Sequence, residues 1–201
     1  MSRRPVADVL VGRHPFSFAG QEKLLVVAEA PAPSWSGEAR HLCATPAFLR
    51  WASRLLGVPV NLRTYLSLFD RCNVAASIDQ PVREDSERLS WLLRKHEHRH
   101  VVLVGRRAMQ AAGLHYCDEV DFLSRVEVAD LVARDQASIG QHGRMDRVFW
   151  TSPHPSGKST WWNLRQNRRD FASFGRALRG VALSSRTLEA IGALRVPTRS
   201  S

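Results

Sequence analysis

Cysteine is scarce in this chain. The three residues, Cys43, Cys72 and Cys117, form no CxxC pair. That argues against a disulfide framework and against a four-thiolate metal or iron–sulfur centre, and no metal or other cofactor is expected. A reducing cytoplasm is the simplest home. No apolar run approaches the ~20 residues of a membrane helix. The start, Met1-Ser2-Arg3-Arg4-Pro5, has charge with no apolar stretch behind it, so no secretory signal is expected. There is no internal repeat. Gly-x-Ser-x-Gly, a phosphate loop and Gly-x-Gly-x-x-Gly are all missing, which leaves an unrelated α/β hydrolase or nucleotide-binding protein without support.

Acidic residues are also few. Asp and Glu number 19 against 29 Lys and Arg, a net of +10. Between Lys158 and Arg179 stand six cations and one anion, Asp170, a local net of +5. Arginine clusters of this kind are the electrostatic footprint of phosphate binding, although a solvated, solubilising face has the same composition. The cluster's place beside the His154 segment makes nucleic acid, double- or single-stranded, the expected partner, with no membrane contact and a monomer as the default state.

The strands announce themselves as short apolar runs. Leu24–Ala28, Thr64–Phe69, Val101–Gly105 and Val148–Ser152 are four strand candidates, each followed by a polar or glycine-rich break. Helices are expected between them. Thr45 and Pro46 suit the N-cap and first position of a helix whose apolar face is Phe48, Leu49, Ala52, Leu55 and Leu56, stopped at Gly57. A helix over about 82–98 would place Val82, Leu89, Leu92, Leu93 and His96 on one side. Arg106–Ala112 is a short helix ended by Gly113. A last helix over about 161–179 sets Phe171, Phe174 and Leu178 inward and its arginines outward. The alternation predicts an α/β single domain, a mainly parallel four-stranded sheet with helices on both faces, in three α/β/α layers. The expected organisation is an N-terminal extension over 1–21, a domain over 22–183 and a C-terminal tail over 184–201. An insertion over 115–147 would carry a helix at Val126–Ala133.

Ligand sites in such sheets form outside the carboxyl ends of the strands. Three distinctive segments are expected there: Glu29–Pro33, Asp70–Asn73 and His154–Gly157. In the last, Pro153 and Pro155 stiffen the chain on both sides of His154. The simple alternative is a rigid strand-to-helix turn with a surface histidine.

The order of these segments resembles the uracil-DNA glycosylase superfamily, over roughly residues 22–180. Ala28-Glu29-Ala30-Pro31 is similar to the Gly-Glu-Ala-Pro-Gly loop of its thermostable iron–sulfur branch. His154-Pro155-Ser156-Gly157 is similar to the second active-site motif, which precedes a minor-groove loop. Ala30 stands where some members carry a water-positioning aspartate, and the N-terminal CxxC of the iron–sulfur branch is missing. Ser67 takes the place of the pyrimidine-reading asparagine that usually ends the second strand, with Asn73 slightly downstream.

The resemblance implies a monofunctional DNA glycosylase that hydrolyses the N-glycosidic bond of a flipped uracil-like or modified pyrimidine. A hypermodified base of viral DNA is one such target, in a defence or repair role. No lysine nucleophile stands out, so lyase activity is not expected. His154 would donate to a base oxygen and stabilise the leaving anion. Glu29 and Asp70 would orient water or balance sugar charge; each has an alternative, a backbone cap for Glu29 and an ion pair with Arg71 for Asp70. Ala30, Pro31, Trp35, Ser67 and Asn73 would surround the base, with Trp35 either a stacking platform or a lid. Ser156, Gly157, Lys158 and Ser159 would meet the DNA backbone and groove, with Arg165, Arg168 and Arg169 beside them. Trp161 and Trp162 would wedge or stack, one of them packing in the core. The competing reading is a catalytically inactive nucleic-acid-binding module on the same scaffold.

Overall fold

The computed structural model describes residues 24–29, 45–75, 82–95, 98–114, 122–127, 146–155, 160–183 and 187–189. Strand β1 (Leu24–Ala28) is buried along its whole length. Helix α1 (Pro46–Leu56) follows, then α2 (Leu62–Leu68), which runs straight into β2 (Phe69–Asn73). Helix α3 (Val82–Lys95), strand β3 (His100–Val104) and the short α4 (Arg106–Ala111) come next. A three-residue strand β4 (Arg125–Glu127) precedes β5 (Val148–Ser152). A 3₁₀ turn (Thr160–Asn163) leads into α5 (Arg165–Ala182). None of the helices among the described residues is long and apolar enough to cross a membrane.

The sheet has the order β2-β1-β3-β5-β4. The first four are mutually parallel and β4 is antiparallel to β5. Strand alternation explains the layers. Leu24, Val26, Ala28, Val102, Val104, Val148 and Trp150 point to one face, where α1, α2 and α5 pack. Leu25, Val27, Val101, Leu103 and Phe149 point to the other, against α3 and α4. This is the expected three-layer α/β/α arrangement, with five strands rather than four.

Three expectations about elements change. First, Thr64–Phe69 is not a strand. Asn61 Oδ1 accepts the Thr64 N–H at 2.8 Å and caps a helix, in which Tyr65 and Leu68 share the buried side. The strand begins at Phe69 and carries Asp70, Arg71 and Asn73, so its apolar pattern is weak although it pairs with β1 along its length. Second, Val126 begins no helix. It belongs to β4, which covers the outer edge of β5 and pairs Val126 with Phe149. Third, the last helix begins later. Leu164 is extended, and Trp161 and Trp162 lie on the 3₁₀ turn before it. Thr45 occupies the N-cap position of α1, but its side chain makes no capping bond.

Helices α1 and α5 meet at Gly175. A Cβ there would lie 2.3 Å from the carbonyl oxygen of Leu55. That oxygen also accepts from Arg179 at 2.5 Å. Both sides of the clash are backbone, so Gly175→Ala must push the helices apart. We expect a loss of about 1–3 kcal/mol, as for other overpacked cores. Urea titration should show a lower midpoint with an unchanged slope; an unchanged midpoint would mean that the helices yield freely.

Candidate active site

The carboxyl ends of β2, β1, β3 and β5 lie side by side and place Asn73, Glu29, Gly105 and His154 along one edge of the sheet. The chain leaves β2 beside β1, with Val74 N–H donating to Ala28 O at 2.9 Å and Ala75 N–H to Glu29 O at 3.0 Å. Asn73 is the last residue of β2, is buried, and pairs with Ala28 immediately before Glu29. Gly105 N–H donates to Ser152 O at 2.8 Å, which ties the start of α4 to the end of β5.

Glu29 turns toward the start of α4. Its Oε1 accepts the Arg107 N–H at 3.3 Å. The backbone cap weighed for Glu29 is therefore present, on one oxygen. Gly105 makes room for it: φ is +93°, and a Cβ there would sit 2.2 Å from Glu29 Oε1. Arg107 is itself fixed, since its guanidinium donates to both carboxylate oxygens of buried Asp85 on α3, at 2.6 and 3.2 Å. None of these supports is legible in sequence, because they join residues far apart in the chain.

His154 is half-buried at the end of β5. The Phe48 ring of α1 meets it edge to face, with centroids 5.7 Å apart. Its carbonyl oxygen accepts the Trp162 indole N–H at 2.8 Å. Trp51 Nε1 donates to Ser152 Oγ at 2.9 Å and anchors α1 to the same strand end. Burial holds the His154 imidazole below its ordinary value of 6.5, while the Glu29 carboxylate pulls it back upward. The ring is therefore neutral at pH 7 and carries one N–H donor. Stability from this neutral form is complete above 6.5 and is lost as pH falls through the lower folded value. An NMR titration of the His154 ring should give a midpoint below 6.5, and Glu29→Gln should lower it further. A midpoint that rises in that variant would show that the two groups do not interact as their placement requires.

Two expected site residues lie elsewhere. Asp70 is the second residue of β2 and pairs with Leu25, about 10 Å along the strand from Asn73. Its Oδ2 meets His98 Nε2 at 2.8 Å, ahead of β3. Ser67 is on α2, where its hydroxyl donates to Arg63 O at 2.8 Å. Both were misplaced by the early start assigned to the second strand, and Asn73 takes the strand-ending position instead. The signal for this was Asn61 three residues before Thr64, a helix start. Cys72, on the α3 side of the sheet, has a thiol pushed up to about 12 by burial.

The aromatic pair is internal. Trp161 and Trp162 are half-buried and both pack on Phe171, at 6.4 and 4.9 Å between centroids. Arg54 of α1 lies over Trp162 at 5.3 Å. Asn167 Nδ2 donates to Trp161 O at 2.8 Å and closes the turn. Trp162 thus braces the His154 segment, and Trp161 packs beside it against Phe122 and Phe171. Arg165, Arg168 and Arg169 are exposed on the first turns of α5. Ala30, Pro31, Trp35 and Ser156 to Ser159 lie outside the described residues. Among the described residues, no cluster of three or more His, Cys, Asp or Glu could hold a metal ion.

The fold and this edge define a class: an α/β protein with a carboxylate and a neutral histidine beyond the carboxyl ends of β1 and β5, the two strands that flank β3. The chain matches no protein-family model and no curated protein.

Proposed function

We propose that this protein hydrolyses an N-glycosidic bond in nucleic acid. More particularly, it is read as a monofunctional DNA glycosylase acting on a flipped, uracil-like or modified pyrimidine. The observation that carries this reading is the placement of Glu29, Asn73 and His154 at the carboxyl ends of β1, β2 and β5, with the His154 ring within electrostatic reach of Glu29 and the arginines of α5 after the following turn. In the reaction, water attacks C1′ of the sugar and the bond to the base breaks. The electron pair leaves with the base, which then takes a proton; the products are a free base and an abasic site. Glu29 orients the water and accepts its proton. The N–H of His154 stabilises the charge that develops on a base oxygen. The amide of Asn73 offers one acceptor and two donors, which suits the N–H and carbonyl edge of a uracil-like ring. The enzyme is read as a cytoplasmic monomer acting in repair or in defence against viral DNA.

The test is base release from a panel of single- and double-stranded DNAs. The panel holds uracil, damaged pyrimidines and phage DNAs with hypermodified bases. Release of one base establishes the activity and names the substrate. No release, with tight and salt-sensitive binding, leaves the inactive binding module. Absence of binding overturns both readings.

A further inference from the structure

The sequence reading placed DNA contacts only after β5, yet a second basic face borders the same edge. Helix α1 has no acidic residue, and its two cations, Arg50 and Arg54, are four apart and therefore on one side. Phe48, Trp51, Ala52, Leu55 and Leu56 are all buried, which fixes the opposite side inward. Both arginines are exposed.

The position of this stripe is set by two contacts. In the first turn of α1, Phe48 meets the His154 ring. Two turns later, the Arg54 guanidinium lies over Trp162, whose indole N–H holds the His154 carbonyl. The buried side of α1 thus meets the histidine segment at Phe48, and its exposed side reaches the adjoining turn at Arg54. Beyond Trp162, the exposed Arg165, Arg168 and Arg169 continue the positive charge onto α5.

The geometry points to α1 as a second wall of the nucleic-acid surface, with Arg50 and Arg54 binding phosphates two steps apart on one strand near the His154 segment. This rests on the DNA reading above. The guanidinium fork matches phosphate oxygens, and stacking of Arg54 on the indole limits the freedom it loses on binding. Along the helix the two residues are about 6 Å apart. That is close to two backbone steps of about 3.4 Å each. Exposed charge of one sign, without an apolar centre, fits a phosphate backbone better than a protein partner.

The experiment is fluorescence-anisotropy binding of a labelled DNA duplex at several salt concentrations, with base release measured on the same samples. Arg50→Gln should lower the slope of log affinity against log salt by about 1, and Arg50→Gln/Arg54→Gln by about 2, with equal weakening on unrelated sequences. Arg54→Lys, which keeps the charge over Trp162, should keep most of the slope. Arg94→Gln is the control. It removes the same charge from exposed α3, on the opposite face of the sheet, and should leave binding unchanged. If Arg50→Gln behaves like Arg94→Gln while the unaltered protein binds, the α1 wall is wrong and the DNA reading stands. If the unaltered protein does not bind DNA, the reading beneath it fails too. Binding that follows the arginine pattern without base release supports the wall and overturns only the catalytic assignment.

Discussion

Replacing His154 with alanine should lower the single-turnover rate of base release by about 10²–10³-fold, the usual cost of removing one preorganised donor to a developing anion. DNA affinity should hardly change, because under the proposed function it would rest on phosphate contacts by the arginines and not on this ring. The reasoning depends on the state of the imidazole. Burial and the edge of Phe48 keep the ring neutral and fixed, and Trp162 holds its backbone. A neutral donor suits a leaving base, since it stabilises the anion without surrendering its proton at neutral pH. His154→Gln retains an N–H donor at a different reach and should fall between the parent and the alanine variant. Unchanged release by His154→Ala would remove the residue from the chemistry and leave it a bracing role only.

Gly105→Ala should be nearly as damaging, although residue 105 touches no substrate in this reading. The added methyl would lie 2.2 Å from Glu29 Oε1, and φ is +93°, where alanine is strained. The strain should cost about 1–3 kcal/mol of stability. The carboxylate is the free end of a side chain, so it swings away from the Arg107 N–H instead of blocking folding. Release should therefore fall toward the level of Glu29→Gln, itself expected at about 10²–10⁴-fold below the parent. A double-mutant cycle separates this from general instability. Gly105→Ala added to Glu29→Gln should cost little further activity, because both disable one group. Additive losses, each in proportion to lost folded protein, would refute the link.

Local sequence determined most of the scaffold. Strands β1, β3 and β5 are continuous apolar runs, recognisable because burial on both faces demands them. Helix α1 is bounded by Pro46 and by Gly57, whose φ is +66°. Glu29 and His154 stand out as candidates because Glu29 directly follows such a strand and His154 lies two residues beyond another. The second strand was not legible. Its residues Phe69-Asp70-Arg71-Cys72-Asn73 carry little apolar pattern, and they form a strand through pairing with β1. That pairing alone decided that Asn73, and not Ser67 or Asp70, ends the strand. Tertiary structure likewise decided the contacts of Gly105, Arg107, Phe48 and Trp162, and laid Arg54 over Trp162. Their partners lie tens of residues away, and a local pattern records burial and backbone preference but not which distant group will be met.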